Sequence, residues 1–272
     1  KRSLNAESTP PVKAGESITV SYKLSADQLF PDSRRLIADG HWLIMNIFSL
    51  LNGLRFVDSF FPSGGFAFSS GLEAAVQVGL VRNADDLSRF VVEALTTGTG
   101  EREAVVVGLA HDAFVSGSLE IALKADRELD AMKLSRESRL ASRQMGRQVI
   151  RIAVEQQDRV PLLDDYAAAV EAGATPGHLA LCLGLVLAAA GWEKEEAIAV
   201  FLYQTATGFV AAAMKLLPVG QREGQRLLES WLKTIQDVTR QAAQQRVLRS
   251  WSPVHDIVAM RHSRLESRLF RS

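Results

Sequence analysis

His255 and His262 stand seven residues apart, with Asp256 beside the first. On a helix that spacing puts both imidazoles on one face, where they could ligate a metal ion. The spacing sets no third ligand, and two histidines at this separation arise readily by chance, so no metal site is assigned. His111 and His178 lie in apolar stretches and read as core or rim histidines. Cys182, inside "LALCLGLVLAAA", reads as a small buried hydrophobe. It is the single cysteine, so no intrachain disulfide can form, which fits a reducing compartment. Gly64 and Gly65, in "DSFFPSGGFAFSSGLEAAV", could in principle cradle a phosphate. A phosphate loop needs a Gly-Lys pair, and the chain contains none. A dinucleotide fingerprint needs a preceding strand, and none is evident. The glycines therefore read as a turn that lets aromatics pack closely. No Gly-x-Ser-x-Gly elbow and no His-Glu-x-x-His pair occurs, so no catalytic residue is assigned.

A more specific pattern is electrostatic. Arg139, Arg143, Arg147 and Arg151 recur every four residues, with Arg136 just before them. On a helix they form a basic stripe whose members repel by a few tenths of a kcal/mol, roughly, per pair. Acids of a partner could meet it, or Glu128, Glu137 or a neighbouring helix could neutralise it internally.

The elements that must position these groups are helical. Hydrophobic residues make up 47% of the 272 and charged residues 23%, which suits a soluble globular protein. The 31 basic and 31 acidic residues cancel, which argues against a general nucleic-acid binder. No secretory signal is evident in the polar N-terminal stretch. Residues 179–192 are too short to cross a bilayer. Ala197–Met214 carries no charge over 18 residues but contains Gln204, Thr205, Thr207 and Gly208, so it reads as a buried helix and not a membrane span. Residues 1–44 read as an extension or linker, with one strand pattern, "ITVSYKL". From Met45 onward apolar residues follow helical steps: Leu72, Ala75, Val76 and Leu80, then Leu87, Phe90, Val91, Ala94 and Leu95. Ser70 and Glu73 form a capping-box signature, and Asn83 is a candidate N-cap. Asp126–Val154 predicts one or two long helices. Leu228, Trp231, Ile235, Val238 and Ala242 mark the buried face of a polar one. The expected fold is all-α, a multi-helix bundle over 45–272 behind a non-helical N-terminal extension.

Five segments in order resemble the UreF family of urease accessory proteins. They are "DSFFPSGGFAFSSGLEAAVQVGLV", "RELDAMKLSRESRLASRQMGRQVIRIA", "TPGHLALCLGLVLAAAGW", "AAAMKLLPVGQREGQRLL" and "WSPVHDIVAMRHSRLESRLFRS". The chain departs from the family at Lys215, where arginine is frequent, and at His255, where an apolar residue is. The resemblance implies a cytoplasmic, homodimeric, non-enzymatic chaperone. It would bind UreD (UreH in some bacteria), recruit the GTPase UreG and help deliver nickel to apo-urease, with nickel and GTP handled by the complex and no cofactor bound directly. It points to Pro62, Gly64, Gly65, Ser69, Gly71 and Glu73 as a structural turn motif. The candidate partner-binding residues are Arg139, Arg143 and Arg147 of the basic stripe, with Lys215, Arg261, His262, Arg268 and Phe270. The tail from Trp251 is expected to bind a partner, against the alternative that it folds back and caps its own bundle. A helical enzyme with an unrecognised site and a small helical membrane protein built on 178–217 are the competing readings.

Overall fold

The computed structural model describes residues 47–156 and 159–271. Among these residues there are eleven α-helices and no strand. The "ITVSYKL" stretch lies outside the described residues, as does the rest of the expected extension.

Two helices make the centre. α4 (Glu103–Ser116) and α8 (Leu179–Ala189) are apolar around most of their circumference and pack on each other. A helix apolar on all sides has no face for water and must be enclosed. Val105, Val106, Val107, Leu181, Leu183, Leu185 and Leu187 are accordingly inaccessible to solvent. α5 (Leu119–Met132), α6 (Arg136–Gln156) and α9 (Lys194–Leu216) each pack on this pair, and α7 (Pro161–Glu171) covers α5 and α6. α10 (Gln221–Gln244) packs on α9 through the predicted face, with Leu228, Trp231, Ile235, Val238 and Ala242 all buried. α9 is the one described helix long and apolar enough to cross a membrane, yet half of its apolar window is buried inside the bundle.

The ends of the helices follow their sequences. Asn83 caps α3 (Ala84–Glu93) by accepting from the Asp86 N–H at 2.9 Å. Gly117, at φ 65°, closes α4 in the left-handed conformation. The stretch from Asp126 to Val154 breaks into α5 and α6, with Ser135 Oγ accepting the Ser138 N–H at the start of α6. A capping box does occur at Glu193 and Glu196, in front of α9. The one expected at Ser70 and Glu73 does not form. α2 (Leu72–Gln77) starts behind Gly71, Ser70 is exposed at φ 52°, and it is Ser69 Oγ that accepts the Glu73 N–H. The Glu73 carboxylate is taken by a distant segment.

α1 (Ile47–Val57) docks on the corner between α8 and α9. The Trp192 indole occupies the space a Cβ on Gly53 would need, 2.0 Å from its Nε1, and that N–H donates to the Ser49 carbonyl at 2.9 Å.

Candidate functional site

The segment from Ala67 to Gln77 and the C-terminal tail meet. The Pro-Ser-Gly-Gly stretch is a turn with Gly64 at φ 79°, and its carbonyl accepts the Ala67 N–H. Pro62 and Gly64 are exposed and Gly65 is half-buried, so the pair turns the chain as expected. Gly71 then backs onto Ala259 of α11 (Pro253–Arg261). Ser69 and Glu73 are buried. The Glu73 carboxylate accepts three bonds from the tail: His262 Nε2 at 2.9 Å, the Leu269 N–H at 2.6 Å and the Phe270 N–H at 3.2 Å. Glu137 of α6 meets the other side of the same histidine, with Nδ1 at 2.7 Å, and accepts from Arg268 Nη1 at 3.1 Å. The Arg271 N–H reaches the Ala67 carbonyl, and Gln77 reaches the Ser267 carbonyl. Phe270 is buried and lies 5.1 Å from Lys215 Nζ.

Seven of the residues singled out from sequence are thus brought together: Ser69, Gly71, Glu73, Lys215, His262, Arg268 and Phe270. His262 and Phe270 make their contacts within the chain, so in the structure these two belong to the tail's own cap, not to a free surface. Arg261 is exposed at the end of α11. His255 and His262 do not converge. His255 Nε2 donates to the Phe90 carbonyl at 2.9 Å, and its ring stacks near Phe90. Burial lowers its pKa, against the opposing effect of that carbonyl. Among the described residues no group of three or more His, Cys, Asp and Glu is placed to hold a metal ion.

A cavity of about 450 Å³ opens beside this junction, with Gly65, Lys133, Thr205, Ser252, Asp256 and Phe270 among its walls. At its edge lies an ionic cluster that sequence reading missed. Glu103 takes Lys133 Nζ at 2.6 Å and Arg102 Nε at 3.3 Å, while Arg102 also bonds Ser250 and lies 3.7 Å from Asp256. Burial by itself would raise the Glu103 pKa, but Lys133 and Arg102 outweigh it and hold the carboxyl at about 2. Glu103 in turn raises Arg102. The available signal was "ERE" set directly before an apolar helix, where charges must either be paired or reach water.

The arginine stripe divides. Arg143 pairs with Asp130, its Nε at 2.9 Å. Arg147 Nε donates to the Pro176 carbonyl at 3.1 Å, and Arg151 lies 3.9 Å from Glu155. Glu137 is taken by the tail and, among the described residues, Glu128 forms no ion pair, so of the expected neutralisers it is the neighbouring helix α5 that acts, through Asp130. Asp130 also accepts from His178 Nε2, while Ser142 Oγ meets the other ring nitrogen at 3.0 Å. That leaves His178 a satisfied core histidine, with a pKa lowered chiefly by burial and by Lys133. Asp126 accepts four donors around it, including the Tyr166 hydroxyl and the Gly177 N–H.

The model of one family, UreF, matches residues 81–232, more than half of the chain. The urease accessory protein UreF of Actinobacillus pleuropneumoniae serotype 5b is 30% identical over 221 residues, covering 80% of this chain and 97% of its own length. The chain belongs to the UreF family of urease accessory proteins. The UreF protein of Yersinia enterocolitica serotype O:8 is 29% identical over 228 residues, covering 83% of this chain and 99% of itself. That of Yersinia pestis strain Pestoides F is 29% identical over 229 residues. As a UreF-family member the chain is an accessory protein and not an enzyme, which removes the reading as a helical enzyme. The matched UreF region runs from just before α3 into α10. The Gly64–Glu73 motif and the tail that docks on it lie on either side.

Proposed function

We propose that the chain serves maturation of the urease nickel centre as a scaffold. It holds UreD (or UreH) and the GTPase UreG together while nickel is delivered to apo-urease. It acts as a homodimer in the cytoplasm and binds neither nickel nor GTP itself. The family supports the urease role, and one surface supports the scaffold role. With the inner side of the tail fastened to Glu73 and Glu137, its outer side presents Trp251, Val254, Ile257 and Leu269 to solvent, with Arg261 and Arg264 among them. Apolar and aromatic anchors beside arginine are the composition of an interface centre. Partner binding and capping, set against each other in the sequence, are therefore compatible: one side of the tail caps the bundle and the other meets a partner.

The test separates the two sides. Val254→Asp with Ile257→Asp leaves the Glu73 and Glu137 bonds intact. It is expected to abolish co-purification with UreD while helical circular dichroism is unchanged. Normal UreD binding by this variant sinks the surface assignment, and saturable GTP binding by the isolated chain in calorimetry sinks the scaffold reading.

A further inference from the structure

α6 carries a run of positive charge that its own fold neutralises only in part. Arg139, Arg143, Arg147 and Arg151 follow one another at every fourth position, with Arg136 ahead of them. At the rise of an α-helix the four begin about 6 Å apart and span about 18 Å. The carboxylates near α6 are mostly engaged. Asp130 of α5 serves Arg143 and His178 together. Glu137 serves His262 and Arg268. Glu155 stands 3.9 Å from Arg151 in an exposed pair, which contributes little. The Pro176 carbonyl orients Arg147 without cancelling its charge. Among the described residues no carboxylate pairs with Arg136, Arg139 or Arg147. Leu140, Gln144 and Gln148 stand between the arginines and, with Arg143, Arg147 and Arg151, border one open depression; Leu140 is exposed.

We propose that this face of α6 is a docking surface for a helix of a protein partner, one with Glu or Asp at every fourth position and an apolar residue against Leu140. A helix has the same rise as α6, so its carboxylates fall one per turn along the stripe, where Arg139, Arg147 and Arg151, none of them held by a buried carboxylate, can donate to them. The glutamines supply donors and acceptors between them, and Leu140 supplies an apolar contact that a wholly polar ligand would leave exposed. The overall charge of zero favours a protein over a nucleic acid. The proposal extends the scaffold reading by adding a second face, along α6 beyond Glu137. Only the question of which assembly partner carries the helix rests on that reading.

The test uses the full chain and a fluorescein-labelled peptide of about five helical turns, with Glu at every fourth position and one central leucine. Anisotropy should show saturable binding that weakens about tenfold or more when salt is raised to screen the pairs. Arg139→Glu with Arg147→Glu should weaken it to a similar degree, with helical circular dichroism unchanged, although it gives up the Arg147 bond to the Pro176 carbonyl. Arg136→Glu with Arg139→Glu, which alters no ion pair or hydrogen bond in the fold, should act in the same direction and so guards against a folding artefact. A peptide with Lys in place of Glu should not bind. Absence of saturable binding, binding by both variants as tight as by the unaltered chain, or duplex DNA bound as tightly as the acidic peptide overturns the proposal. The assay needs no urease protein, so failure of the scaffold reading leaves its outcome interpretable.

Discussion

Glu73 shows how one carboxylate can belong to two parts of a sequence at once. Its position suggested a capping box, because Ser-x-x-Glu before an apolar run is the local signature. The structure instead gives its oxygens to His262 and to two backbone N–H groups nearly two hundred residues away. A buried carboxylate needs several donors, and α2 is too short to supply them from its own first turn. Glu103 is the other buried carboxylate with a measurable consequence. Its pKa is held at about 2 against an ordinary 4.5, so its stabilising effect is complete above pH 4.5 and disappears as pH falls toward 2. Glu103→Gln should cost about 3–5 kcal/mol at neutral pH, because Lys133 and Arg102 are then left without their shared carboxylate. The gap between variant and wild type should narrow below pH 4.5 in urea titrations. A gap that stays constant down to pH 2 would mean that the cluster does not titrate as one unit.

At the scale of elements, the pattern of apolar residues was a reliable guide where a helix has one dry face or none. α10 follows its three- and four-residue steps, and α8 is buried because nothing on it is polar. What the pattern does not carry is where one helix rests on another. α1 is placed by Gly53, whose missing side chain admits the Trp192 indole. Gly53→Ala keeps the helix and improves its propensity, by about 1 kcal/mol in an exposed setting. It nevertheless puts a methyl group inside the indole ring. The expected outcome is a net loss of about 1–3 kcal/mol, with a change in Trp192 fluorescence. A stabilised variant with unchanged fluorescence would show that α1 does not dock there.

At the scale of the whole molecule, the bundle is closed by its own C-terminal segment. His262 and Phe270 are buried, and the last backbone bond runs from Arg271 to Ala67. Removal of residues 251–272 is therefore expected to lower the thermal midpoint, as well as to remove a partner surface. Removal of residues 1–44 is expected to leave the midpoint and the helical circular dichroism of the Met45–Ser272 unit unchanged. The two truncations make a matched pair. If the C-terminal one melts like wild type, the tail adds nothing to the core. If the N-terminal one melts much earlier, the extension is part of the fold.

Local information in the sequence was enough to determine the all-α class, most helix positions, the Gly64 turn and the family. Each rests on residues close together in the chain: apolar steps of three and four, a cap such as Asn83, a motif of a dozen residues. Only the tertiary structure decided that Glu73 answers the tail, that Lys133 joins Arg102 at Glu103, and that Asp130 takes Arg143 away from the stripe. The physical reason is that a buried charge is stabilised by whatever donors the fold brings within about 3 Å. Those donors came from segments 30 to 197 positions apart in the cases of Lys133–Glu103 and Phe270–Glu73, a separation that no local pattern records.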